Sequence, residues 1–150
     1  MKILLAIDAS PFSEAAVNEI AARPWPRTTI VRVLSVIQPY PPPATEFVLA
    51  GATLEDTRRQ QTAGADAVTT RAAEAIRAAG LTAETAVREG DPRTMIIDEA
   101  EQWDADLIVV GSHGRTGVTR WLLGSVAQAV VAHARCSVEV VRTRTTATGA

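Results

Sequence analysis

The apolar residues of this chain fall into short continuous runs, separated by stretches in which they recur at helical spacing. Ile3, Leu4, Leu5, Ala6 and Ile7 make the first run, which ends at Asp8. A continuous run of this kind reads as a strand covered on both faces, as in a parallel sheet. Ser10-Pro11 then supplies a helix cap and a first-turn proline, and Val17, Ile20 and Ala21 place an apolar stripe on the helix that follows. Arg23-Pro24 and Pro26 stop that helix, and a second strand is expected from Thr28 to Val36. Prolines between Gln38 and Pro43 exclude a central strand or helix interior, leaving a loop or a proline-rich ligand for another module.

The spacing predicts a long helix from Ala52 to Ala79, with Leu54, Ala65, Val68, Ala72, Ala75, Ile76 and Ala79 on one broad face and Gly80 at its end. Leu81 to Arg88 alternates imperfectly, as a strand toward a sheet edge does. Gly90-Asp91-Pro92 opens a helix capped by Asp91, whose Ile96, Ala100 and Trp103 face the sheet. Leu107 to Val110, between polar Asp106 and Gly111, has the pattern of a central strand. A helix through Val126, Ala129, Val130 and His133 and a fifth strand through Val138, Val140 and Val141 complete the chain, with a loose tail from Thr143 to Ala150. Strands alternating with helices predict one α/β domain with right-handed crossovers.

Composition narrows the function. The 150 residues suit one domain, and a formal charge of -2 gives no excess of positive charge for nucleic acid or an anionic membrane. Lys2 is the only lysine, so the Gly-Lys pair of a Walker-type phosphate loop is missing. The charges of the long helix, such as Arg58, Arg59, Asp66 and Arg71, read as a solvated face. A single cysteine, Cys136, fits a reducing compartment and a role as buried filler. With no leader-like segment and no apolar run long enough to span a bilayer, the expectation is cytoplasmic.

The candidate chemistry lies after the fourth strand, in Gly111-Ser112-His113-Gly114, Gly117 and Gly124-Ser125. Residues without a Cβ accept positive φ and let a ligand touch the main chain, while a following helix start adds unpaired N–H donors. That combination suits a phosphate chain. The alternative is a plain strand-to-loop turn, with Ser125 as the helix cap. Asp8, beyond the end of the first strand, either meets a ribose hydroxyl or a phosphate-bound divalent cation or pins the next helix start. Ser112 and His113 are adjacent with no acid fixed behind the imidazole, and His133 with Cys136 supplies only two metal-type ligands.

Gly111, two residues, Gly114, nine residues, Gly124 and Ser125 resembles the G-x2-G-x9-G-[S/T] signature of the universal stress protein family, in its ATP-binding branch. K-I-L-L-A-I-D-A-S, E-G-D-P at Glu89 to Pro92, A-D-L-I-V-V-G-S-H-G and C-S-V-E-V-V-R extend the resemblance from Met1 to Arg142. It implies a universal stress protein domain over 1–142 with a tail at 143–150. The implied fold is a five-stranded, parallel, doubly wound sheet in the order 3-2-1-4-5, Rossmann-like and similar to the adenine nucleotide alpha hydrolases. It also implies a site for ATP, ADP or AMP, with Mg2+ brought by the nucleotide beside Asp8. The implied site residues are Ala6, Ile7, Asp8, Val33, Val110, Gly111, His113, Gly114, Arg115, Gly124, Ser125 and Val126. Ala6 would line the adenine pocket, the Val33 backbone would meet the base, and His113 and Arg115 would donate to phosphate. Tyr40 and Phe47 would stand at the cleft edge.

The same resemblance implies a homodimer through Val138, Glu139, Val140 and Val141, although Glu139 stands where relatives carry an apolar residue. A nucleotide-responsive regulator of stress adaptation with an unknown downstream partner follows. A slow ATPase or autophosphorylating enzyme, and a dimerising module without nucleotide, are the alternatives. Gly114→Val and Gly124→Val are expected to block the phosphates while leaving the fold intact.

Overall fold

The computed structural model describes residues 1–39, 51–115 and 122–143. Tyr40, Phe47 and Gly117 lie outside them. Among the described residues nine elements follow one another: β1 (Lys2–Ile7), α1 (Pro11–Ala22), β2 (Ile30–Ile37), α2 (Gly51–Ala78), β3 (Thr82–Glu89), α3 (Pro92–Gln102), β4 (Leu107–Gly111), α4 (Ser125–His133) and β5 (Ser137–Val141). The strands pair in parallel in the order β3-β2-β1-β4-β5, a doubly wound sheet.

The apolar runs behave as strands buried on both faces. Ile3, Leu5 and Ile7 of β1, Val31 and Val33 of β2, and Leu107 and Val109 of β4 pack under α1 and α2 with Ala16, Ile20, Ala73 and Ile76. Leu4, Ala6, Leu34, Ile108 and Val110 face the other way, onto Ile96 and Ala100 of α3 and Ala127 and Val130 of α4. Alternation of side chains along each strand splits one run into two cores.

The caps stand where local chemistry puts them. Ser10 accepts the Ser13 N–H at 3.2 Å and Asp91 accepts the Arg93 N–H at 2.9 Å, each with a proline in the first turn behind it. The N-cap of α4 is Gly124, which has no side-chain cap bond, so Ser125 is a first-turn residue and not the cap.

α2 departs from its expected face. Ala72, Ala73 and Ile76 are buried, but Leu54 is 39% exposed and Ala75 and Ala79 are exposed too. A helix of 28 residues is about 42 Å long, against about 26 Å for the eight residues of β2, so its N-terminal half runs past the sheet. β2 itself begins at Ile30, after Thr28 and Thr29.

A polar cluster fills the sheet face beyond α3. The carboxylate of Glu99, 4% exposed, takes Arg32 at 2.8 Å and Arg88 at 2.8 Å, and Arg32 also meets Glu84 at 2.7 Å. The Arg32 guanidinium lies 4.3 Å from the centre of the Trp103 ring. These pairs tie α3, which forms one wall of the cleft described next, to β2 and β3.

Candidate functional site

β1 and β4 are neighbours, and the chain leaves them in opposite directions, to α1 on one face and α4 on the other. Such a switch point opens a crevice beyond the carboxyl ends of the strands. Here it is a cleft of about 920 Å3, lined from β1 by Ala6, Ile7 and Asp8, from β4 and its loop by Val110, Gly111, His113, Gly114 and Arg115, and from α4 by Gly124, Ser125 and Val126. Eleven of the twelve expected site residues therefore meet at one place.

Val33 is the exception. It is fully buried in the core under α1 and α2, and the β2 residues that reach the cleft are Leu34, Ser35, Val36 and Ile37. Sequence reasoning also missed Ser13 and one face of α2, where Gln61, Gly64, Ala65 and Val68 line the cleft. Their helical spacing was the available signal, but it reads as an ordinary core stripe.

Asp8 organises the floor. Its Oδ1 accepts from the Ser10 N–H at 3.1 Å and the Ser13 hydroxyl at 2.7 Å, and its own N–H donates to Ser13 Oγ at 2.9 Å. Ala9 beside it takes a left-handed φ of 62°, which sends the chain from β1 into the cap of α1. Oδ2 accepts the Arg115 N–H at 3.1 Å, and the Asp8 carbonyl accepts Arg115 Nε at 2.6 Å. So the carboxylate does pin the start of α1, while one of its oxygens faces the glycine loop.

The glycines act by close approach and not by handedness. None of Gly111, Gly114 and Gly124 has positive φ, a state found among the described glycines at Gly80 and Gly90. A Cβ on Gly111 would lie 2.8 Å from Phe12 Cβ and 2.9 Å from the Phe12 carbonyl carbon. On Gly114 it would meet Asp8 Oδ2 at 2.9 Å, and on Gly124 it would meet His113 Cα at 3.1 Å and the Ser112 carbonyl at 3.3 Å. Gly111 thus seats α1 against β4, and Gly124 seats α4 on the loop, where its N–H donates to the Ser112 carbonyl at 2.8 Å. Valine at Gly124 therefore asks main-chain atoms of the loop to give by a few tenths of an ångström, and the same shift bears on the seat of α4.

The donors also gather here. The first turn of α4 presents N–H groups that no intrahelical carbonyl can reach, and Ser125, Val126 and Ala127 all border the cleft. Unlike α1 and α3, this turn receives no cap from its own N-cap side chain. His113 packs its ring on Phe12 at 5.1 Å and places Nδ1 3.0 Å from Ser112 Oγ, while the buried Nε2 has no hydrogen-bond partner among the described residues. Among the described residues no cluster of three or more His, Cys, Asp or Glu converges as a metal site, and no helix is long and apolar enough to cross a membrane.

Fold and cleft together define a Rossmann-like α/β domain with an open crevice at its switch point. The family model described as the universal stress protein family matches residues 1–142, and this chain belongs to that family. A putative universal stress protein of Staphylococcus haemolyticus is 32% identical over 148 residues, covering 94% of this chain and 84% of that one. A universal stress protein of Methanocaldococcus jannaschii is 48% identical over 63 residues, 42% of this chain and only 37% of the relative's length. Among solved structures, the universal stress protein UspA from Lactobacillus plantarum superposes with a TM-score of 0.76 at 27% identity, covering 95% of this chain and 97% of that one. A family member from Arabidopsis thaliana, solved with AMP bound, shares the fold with a TM-score of 0.71 at 19% identity, covering 100% of this chain and 96% of that one.

Proposed function

We propose that this protein binds an adenine nucleotide, ATP, ADP or AMP, in the switch-point cleft, and that the nucleotide state regulates what a homodimer of the chain engages during stress. The observation that carries the reading is the α4 N-terminus, open to a cleft of about 920 Å3 and approached by a loop whose glycines leave its main chain bare. The phosphates would lie on the N–H groups of Ser125 and Val126 and on the Gly111 to Arg115 loop, with His113 Nε2 as a further polar contact. The base and ribose would occupy the side bounded by Ala6, Ile7 and Val110. Arg115 would turn from the Asp8 carbonyl toward phosphate, where its fork of N–H groups suits the oxygens.

A divalent cation bound by the phosphates would neutralise part of their charge, and Asp8 Oδ2, once released by the Arg115 N–H, is the carboxylate oxygen within reach. The AMP carried by the Arabidopsis relative supports the nucleotide class. Subunits would pair through the free edge of β5, at Val138, Glu139, Val140 and Val141, and the downstream partner would be a cytoplasmic protein. The role is binding, since the described cleft places no carboxylate behind the His113 imidazole to make it a strong base.

Calorimetry of the purified chain with ATP and Mg2+ tests this reading, beside Gly114→Ala. Saturable binding that weakens in the variant is the expected result. No heat with ATP, ADP or AMP from a protein of native circular dichroism overturns it.

A further inference from the structure

The sheet ends at β5, whose outer edge has no neighbouring strand among the described residues, and the sequence Ser137-Val-Glu-Val-Val141 carries its one charge at the centre. The pleat puts Val138 and Val140 on the α3 and α4 side and Glu139 with Val141 on the α1 side. There Glu139 Oε2 accepts from an Arg23 terminal nitrogen at 2.7 Å, with the two side chains 24% and 42% exposed.

Arg23 is held from other directions as well. Its Nε and second terminal nitrogen reach Glu19 Oε1 at 2.9 and 2.7 Å, and its guanidinium sits 5.8 Å from the Trp25 ring centre. Trp25 in turn donates Nε1 to the Ile20 carbonyl at 2.8 Å, closing the end of α1. The guanidinium is therefore positioned at the sheet edge before any partner arrives.

A charge on an edge strand commonly discourages pairing. Symmetry changes its meaning. A two-fold axis normal to the sheet leaves each face on its own side, so residues facing one another across an antiparallel β5 pair must share parity, and the axis lies midway between one residue and its own copy. With the axis at Glu139 all of Ser137–Val141 is paired, whereas a centre at Val138 or Val140 shortens the ladder. Glu139 then faces its own copy at a Cβ separation of about 5 Å, where like charges repel unless each is matched.

We propose that Arg23 and Glu139 form a four-residue ionic cluster across the two-fold axis, so that the β5 edge accepts a strand bringing its own arginine: a second copy of this chain. The inference rests on the homodimer proposed above and adds the groups that decide which strand may pair. The cluster makes dimerisation conditional on Arg23, although Arg23 lies on α1 and not on the paired strand.

Sedimentation equilibrium on the full chain tests it with Arg23→Ala, Glu139→Leu and the double variant, each checked for native circular dichroism. The expected result is a dimer weakened about five- to tenfold by Arg23→Ala, which leaves two carboxylates facing each other. Glu139→Leu alone keeps the dimer, and in the Arg23→Ala background it restores wild-type affinity or better. A wild-type dimer whose affinity is unmoved by Arg23→Ala overturns the cluster and leaves the dimer standing. A wild-type chain that stays monomeric across the micromolar range removes the homodimer itself, and the cluster with it.

Discussion

The Cβ that Gly114 lacks would lie 2.9 Å from Oδ2 of Asp8, so a residue of the fourth strand's loop and the residue that follows the first strand share one van der Waals surface. Asp8 is a side-chain end, whereas the atoms facing Gly111 include the main chain of Phe12. Gly114→Ala is expected to fold normally, shift Asp8 slightly and weaken ATP binding, measured by calorimetry. Gly111→Ala must instead push α1 off β4 and is expected to cost about 1–3 kcal/mol in urea unfolding, as overpacking does.

Asp8→Ala removes the acceptor of three hydrogen bonds, from the Ser10 N–H, the Ser13 hydroxyl and the Arg115 N–H. A loss of about 1–3 kcal/mol of stability is expected, alongside weaker nucleotide binding. Asp8→Asn keeps one acceptor oxygen and should recover part of the stability. The comparison separates the helix-pinning role from the ligand role, since denaturant midpoints read the first and ATP titration the second.

Glu99 is buried between Arg32 and Arg88, so truncating it leaves two guanidinium groups short of a partner. Glu99→Ala is expected to cost about 1–3 kcal/mol in chemical denaturation, since the arginines left behind are in part open to water and Arg32 keeps its pair with Glu84. Because α3 carries Pro92 and Ile96 at the cleft wall, the same variant should also loosen nucleotide binding.

Asp91 gives a pH signature. Its side chain receives the Arg93 guanidinium and N–H, which hold its carboxyl below the usual 3.8. A depressed folded pKa contributes stability that is present above the unfolded value and is lost as pH falls through the lower folded one. Asp91→Ala should therefore lower Tm at pH 7, with the gap to wild type closing as the solution is acidified below the ordinary carboxylate range.

Burial pushes the Cys136 thiol up from its ordinary 9.0, with the Asp106 charge acting in the same direction. The thiolate is the reactive form, so iodoacetamide at pH 8 should modify the folded chain more slowly than the chain in urea. Equal rates would show that the thiol is not shielded.

Local chemistry was enough for much of this protein. Ser10-Pro11 and Asp91-Pro92 announce two helix starts because capping depends on residues within one turn, and the apolar runs of β1 and β4 announce a two-sided core because side chains alternate along a strand. Spacing within Gly111 to Ser125 pointed to the loop of the cleft, and the family resemblance supplied the strand order, which periodicity alone does not contain. The tertiary structure decided the rest. Asp8 meets Arg115 across 107 positions and Arg23 meets Glu139 across 116, and no local pattern encodes such separations. It turned one face of α2 toward the cleft, because that helix outruns the sheet, and it left Val33 beneath the cleft, because the crevice opens at the carboxyl end of β2, which Leu34 to Ile37 reach and Val33 does not. It also gave the glycines their reason: what each must avoid is a neighbour brought close only by the packing of α1, α4 and Asp8 around the end of β4.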